Sequence, residues 1–223
     1  ISCHTGHEIA FPDSARFRLQ LPHLCGNCHT DLSNRYTLSM HGQLTELGYG
    51  AAAKCSDCHG SHDILPTNDP HSMLAPENRL QTCGKCHLHA VANFTDYDPH
   101  ANHMDAEQYP FLHAVYMGME VLLFSVFGFF GLHALLWFVR SLVHTLQHGR
   151  PKRLAAQQAA YVRFEPIHRW LHVVVIVSFL GLALTGLPLK YHDQDWAKAI
   201  AFVLGGFDST SVLHRLCAIA TVF

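Results

Sequence analysis

With 223 residues and a formal net charge of −2, the chain has room for one large domain or two small ones. It lacks the basic field that nucleic-acid binding requires, so nucleic acid is excluded as a partner. Eight cysteines and 20 histidines are far above ordinary usage, and seven of the cysteines lie before residue 87.

The chain opens Ile1-Ser2-Cys3-His4, the back end of a Cys-x-x-Cys-His motif, and stops at Phe223 inside an apolar run. Both ends therefore read as cuts within a longer protein. Three intact motifs follow: Cys25-Gly26-Asn27-Cys28-His29, Cys55-Ser56-Asp57-Cys58-His59 and Cys83-Gly84-Lys85-Cys86-His87. This is the attachment pattern of c-type heme. Two thiols one helical turn apart can each form a thioether with a heme vinyl group, and the next residue, His, then reaches the iron. Zinc and disulfides are the ordinary readings of a lone Cys-x-x-Cys. Three repeats with His in fifth place, plus the half motif Cys3-His4, favour four c hemes with His4, His29, His59 and His87 as proximal ligands.

These histidines recur at steps of 25, 30 and 28 residues, the signature of an array of similar units. Each unit is too short to bury an apolar core, which a heme would supply. Short helices, loops and little sheet are expected. Spare histidines for the second axial site are His7, His23, His41, His62, His71, His89, His100 and His103. His41 in Ser39-Met40-His41-Gly42, His62 in His59-Gly60-Ser61-His62 and His100 in Asp98-Pro99-His100 lead, followed by His7, His103 and His23. The bland reading of any one of them is a surface histidine. Two imidazoles per iron favour low potentials and leave no open site for a substrate.

From Phe111 to Val139 the sequence is almost wholly apolar, about 44 Å as a helix, enough to span a bilayer. A second apolar run covers Trp170 to Leu189, and a third starts near Ser211, with Asp208 or Ser209 as its cap. Heme c is attached outside the cytoplasm, so residues 1–108 form an extracytoplasmic domain and the first span, 109–140, runs inward. The next segment, 141–167, is a basic cytoplasmic loop. Around it stand Arg140, Arg150, Lys152, Arg153, Arg163 and Arg169, whereas the loop after the second span has only Lys190 and Lys198. That asymmetry obeys the positive-inside rule. Residues 168–223 begin a further membrane domain.

Ionisable residues inside spans are functional by default. His113 belongs near the outer surface, Glu120 deeper along the helix and His133 toward the inner side. His168 and His172 share a helix face. His172 and His214 lie at opposite heights, as two b hemes stacked across a bilayer need. The bland alternatives are interfacial histidines, and Cys217 is a packing residue.

The stretch Phe164-Glu-Pro-Ile-His168-Arg-Trp-Leu-His172 through Thr185-Gly186 resembles the first helix of the diheme cytochrome b subunit of respiratory formate dehydrogenases and nickel-iron hydrogenases. In that helix a His is followed, fourteen residues on, by the Gly of a Ser/Thr-Gly pair, here His172 and Gly186. Val212-Leu213-His214-Arg215 resembles the start of that family's second helix. Residues 1–150 look like the multiheme front end fused to such domains in anaerobic bacteria, and Phe127 to Arg140 is similar to their connecting helix. The family's partner ligands come from a later helix that this sequence does not include.

The resemblance implies a mostly α protein: a loop-rich multiheme c-type cytochrome domain followed by a transmembrane, cytochrome b-like helical bundle, truncated here. It implies one or two b hemes on His172, His214 and, as a further ligand, His133. It also implies a quinone, menaquinone or ubiquinone, with His168, Arg169 and Glu120 on the quinone or proton path. The expected role is multi-pass inner-membrane electron transfer between quinone and periplasmic redox proteins or respiratory complex subunits, as in a quinol:cytochrome c oxidoreductase. The competing roles are a multiheme reductase of small nitrogen or sulfur species, which needs a five-coordinate heme, and a heme-bearing anchor for an outer complex.

Overall fold

A computed structural model describes residues 3–4, 10–149 and 164–222. His7 and the loop cations Arg150, Lys152, Arg153 and Arg163 lie outside the described residues. The fold is mostly α-helical, with no strand among the described residues. Packing divides the chain into two units, Ile1–Ala101 with Trp170–Phe223, and Asn102–Arg169.

In the first unit the Cys- and His-rich sequence forms short helices. Helix α1 (Ala15–Gly26) starts at Ser14, whose hydroxyl accepts the Phe17 N–H at 3.3 Å. It is followed by α2 (Thr30–Leu38), α3 (Met40–Glu46), α4 (Cys55–His59) and α5 (Pro76–Gly84), which has Pro at its first turn, where a missing N–H costs nothing. A 3₁₀ turn covers Ala92–Asp96. Buried apolar residues in this stretch are few: Phe17, Tyr36, Ala52 and Ala75.

Polar ties do much of the work that a core would do. The Tyr36 hydroxyl donates to the Ala53 carbonyl at 2.9 Å and lies 2.9 Å from Thr45 Oγ1, joining α2, α3 and the approach to α4. Burial lifts that hydroxyl well above its ordinary pKa. Lys54, 1% exposed, turns its ammonium onto the carbonyls of Gly50 at 2.6 Å, Tyr49 at 3.3 Å and Ala52. Burial, with Arg18 nearby, holds the pKa of this ammonium below its usual range. The Lys54 N–H donates to Asp57 Oδ2 at 2.8 Å, and Arg18 pairs with the same carboxylate at 3.1 Å. Each buried charge is thus met by oxygens, as burial requires.

The same unit holds α7 from Trp170 onward, α8 (Asp195–Val203) and α9 (Gly206–Val222); α7 as a whole is Pro166–Lys190. Small and polar residues line the α7–α9 contact. Thr221 Oγ1 donates to Ser178 Oγ at 2.9 Å, and a Cβ on Gly181 would stand 2.4 Å from Cys217 Sγ. Close approach through small residues, with hydroxyl bonds across, is how helices associate where water gives no hydrophobic drive. Gly205 and Gly206, at φ +87° and +83°, make the sharp corner between α8 and α9.

The second unit is dominated by α6 (Pro110–His148), 39 residues or about 58 Å. Its apolar side chains are exposed along its length. Helices α6 and α7 are both long and apolar enough to cross a membrane.

Three elements differ from the sequence reading. Helix α6 continues past Arg140 to His148, because Ser141–His148 contains no breaker before Gly149 at φ +73°. Helix α9 starts at Gly206, so Asp208 lies in its first turn and does not cap it. Residues 190–210, read as a loop, contain α8, whose Ala197 and Ala201 are buried one helical turn apart.

Gly42 sets how closely α3 approaches the end of α2. A Cβ there would lie 2.0 Å from the Tyr36 carbonyl oxygen and 2.5 Å from Thr37 Cα. Gly42→Ala is expected to destabilise the protein by about 1–3 kcal/mol through forced backbone displacement. An unchanged denaturation midpoint would refute the packing constraint.

Candidate functional site

The three Cys-x-x-Cys-His motifs adopt one local geometry. The His29 N–H donates to the Cys25 carbonyl at 2.9 Å and the His87 N–H to the Cys83 carbonyl at 3.0 Å. Cys28 and Cys86 donate to the same carbonyls, each at 3.2 Å. Cys55–His59 is itself the helix α4. Each motif is therefore a single helical turn, which brings two thiols near one another with the imidazole immediately after. All eight cysteines are free of disulfides.

Three of the four motif histidines lie at a similar distance from a second histidine. Ring centroids are 6.3 Å apart for His4 and His62, 6.1 Å for His41 and His87, and 6.3 Å for His59 and His100. A metal–imidazole bond of about 2 Å on each side, with each ring nitrogen roughly 1.1 Å from its centroid, predicts about 6.3 Å for two axial rings. The three centroid separations match that spacing. His100 Nδ1 is also buried without a hydrogen-bond partner.

The electrostatics favour ligand chemistry over thiol chemistry. His41, His59 and His100 are each held below the ordinary 6.5, chiefly by burial, and so stay neutral, the form that binds metal. Burial, with Cys25 alongside, pushes the Cys55 thiol up to about 12. Burial, with Cys83 nearby, raises Cys58 too. A redox-active or nucleophilic Cys-x-x-Cys needs the opposite shift. Among the described residues no group of three or more His, Cys, Asp or Glu converges on a bare metal ion.

The remaining histidines are placed differently. Among the described residues no imidazole ring stacks on or tilts against His29, which is exposed at the start of α2. His7, a sequence candidate for a second ligand, lies outside the described residues. His23 Nε2 lies 3.3 Å from Glu46 Oε1. His103 packs on Tyr116 at 4.3 Å, and its carbonyl lies 3.0 Å from His113 Nδ1. His71 and His89 are exposed.

On the apolar helices, the Thr185 hydroxyl donates to the Gly181 carbonyl at 2.7 Å and lies 2.8 Å from His214 Nδ1. With its one proton spent on Gly181, the hydroxyl accepts from Nδ1–H, which leaves Nε2 as the free lone pair. Next to it, a Cβ on Gly186 would stand 3.4 Å from His214 Cε1. Thr185, Gly186 and His214, distant in sequence, are thus in contact. His172 sits on α7 about 20 Å along the axis from Thr185. It is exposed, as are His168 and Arg169 on the same helix and His133 on α6. Glu120 lines a shallow apolar groove of 540 Å³ with Met104, Tyr116, Met117 and Phe124.

Two residues escaped the sequence reading. His192, 7% exposed, has an Nδ1 without a partner, and Lys54 is buried beside the second intact motif. Lys54 precedes Cys55 directly, but a lysine signals nothing until the carbonyls around it are seen. His192 follows the second apolar run, where histidines pass as interfacial.

No family model, no curated protein and no solved structure matches this chain.

The imidazole shifts give a pH dependence with a definite sign. Unfolded, these rings take up protons as pH falls through 6.5, whereas in the fold His41, His59 and His100 resist. Their contribution is neutral above 6.5 and destabilising below it. Denaturation midpoints followed from about pH 7.5 to about pH 5 should fall, beginning before the carboxylates titrate. A midpoint flat or rising over that window contradicts the assignment.

Proposed function

We propose that this chain is a membrane-bound, multiheme electron-transfer protein linking quinone to redox partners outside the cytoplasm. One observation carries the reading: three motif histidines each stand 6.1–6.3 Å from a histidine distant in sequence. Cys25, Cys28, Cys55, Cys58, Cys83 and Cys86, with Cys3, would hold c hemes. His4, His29, His59 and His87 would be proximal ligands, with His62, His100 and His41 opposite His4, His59 and His87. Heme iron, when bound, supplies one-electron chemistry, while the protein sets position and potential. An imidazole on each side would close these three sites to small substrates, which favours transfer over catalysis on a nitrogen or sulfur species there.

The membrane part of the proposal rests on α6 and α7, the two helices of sufficient length and apolarity. Its likeness to a diheme cytochrome b is supported by the meeting of Thr185, Gly186 and His214. In this reading His172 and His214 hold b hemes at opposite heights. His168, Arg169 and Glu120 are the groups able to handle quinone protons. The outer domain lies on the periplasmic side, which puts the 190–210 connection on that side as well.

A pyridine hemochrome spectrum with heme stain on a denaturing gel counts covalent and non-covalent hemes together. Covalent heme lost stepwise with each Cys pair changed to Ala is the expected result; heme-free protein with bare or zinc-loaded sulfurs would overturn the reading. Single changes of His41, His62 or His100 to Ala should each convert about one heme in four from low to high spin in EPR. His71→Ala and His89→Ala should convert none. For the membrane helices, Thr185→Val should weaken non-covalent heme retention roughly 10- to 100-fold, the usual cost of losing a partner that orients a ligand. Its covalent heme should be unchanged, and full retention of the non-covalent heme would separate Thr185 from the site.

A further inference from the structure

The short helix α3 carries His41 near its start and Glu46 at its end, and that end is tied to the α8–α9 corner. Glu46 Oε2 pairs with Lys198 Nζ of α8 at 3.1 Å, while Oε1 lies 3.3 Å from His23 Nε2. The Glu46 side chain is only 17% exposed, so this pair is better shielded than a surface bridge. Three residues on, the Tyr49 ring packs on Phe207, in the first turn of α9, with centroids 4.9 Å apart. Tyr49 is held in turn, its carbonyl accepting from Lys54 just ahead of Cys55. Gly205 and Gly206 shape the corner that presents Lys198 and Phe207 together. His214 follows Phe207 by seven residues, about 10 Å along α9.

We propose that Glu46, Tyr49, Lys198 and Phe207 form a joint that seats the outer domain on the membrane helices and makes His41–His87 the junction pair of the array. The proposal rests on the function above and adds an order to it. His41 is separated from the joint by one turn of its own helix, and His214 by two turns of α9. The second histidines of the other two pairs, His62 and His100, lie outside α3 and so are not carried by the helix that holds Glu46. The joint is a positioning device, aromatic at one end and ionic at the other, with no group that changes protonation as part of its task.

Two measurements on the intact, heme-loaded chain in detergent test it. A Tyr49→Cys/Phe207→Cys protein, oxidised after purification, should form an intramolecular cross-link without altering its low-spin spectrum. Failure to cross-link would remove the joint. Second, His41→Met, His62→Met and His100→Met each give one c heme a distinct spectrum. On rapid reduction by a quinol, the altered spectrum should appear in the first c-heme phase of His41→Met and only later in the other two. Its appearance first in His62→Met or His100→Met would overturn the assignment. Glu46→Gln/Tyr49→Ala should slow that first phase roughly tenfold or more, the scale on which small misplacements act, with total heme unchanged; an unaltered rate counts against the joint. If the wild-type chain carries no covalent heme, it is the underlying function that falls. With heme present and the phases misordered, only the junction fails.

Discussion

The arrangement turns on a spacing between imidazoles that the backbone imposes from both sides. On one side His59 and His87 each follow a turn that carries two thiols, and His4 follows Cys3; on the other a short segment returns a second histidine to about the same gap three times over. Hydrophobic burial alone would not enforce this in a stretch whose buried apolar residues are Phe17, Tyr36 and two alanines. Oxygen–nitrogen contacts take over: Tyr36 against Ala53 and Thr45, Lys54 against a ring of carbonyls, Asp57 between Lys54 and Arg18. These directional bonds tie neighbouring backbone where so small a unit buries little apolar surface. On the proposed reading the missing core is porphyrin, and the polar ties frame it.

The apolar helices obey a different constraint. Where lipid surrounds a helix, leucines gain little by touching one another, so association depends on close backbone approach and on polar pairs. The α7–α9 contact has both, in Gly181 against Cys217 and in Ser178 with Thr221. It also uses the device chemically. The hydroxyl that helps join the helices fixes the His214 tautomer, so one bond serves association and ligand orientation together. A valine could supply the shape at 185 but not the acceptor.

Much of this was legible in sequence, for reasons that differ by element. The motif turns were readable from their fixed spacing, and the two long apolar helices from their length and composition. His41, His62 and His100 stood out by local phrase, yet their pairing with His87, His4 and His59 was not readable, since it depends on how α2, α3 and the loops fold back. Helix α8 was hidden in a connection between spans: its stripe of Ala197 and Ala201 is too short to register as periodic. The role of Lys54 was invisible for the same reason that it is effective, because its partners are backbone carbonyls that any sequence could supply. Gly42, next to His41, lets α3 lie against the carbonyl of Tyr36, a use that depends on a neighbour the sequence does not show.

The connection between α7 and α9 bears on orientation independently of charge counting. Lys198 is the one lysine or arginine between those helices, and it is drawn to Glu46 of the Cys-rich domain. A segment that touches that domain shares its side of any membrane that α7 crosses. On the proposed orientation, positive-inside reasoning from the arginines flanking the other loop points to the same side. The two arguments use different physics: one a membrane potential and translocation bias, the other a contact between side chains 152 residues apart. An inverted topology would have to break the ion pair and the Tyr49–Phe207 contact at once, and leave the shielded Glu46 carboxylate without its lysine.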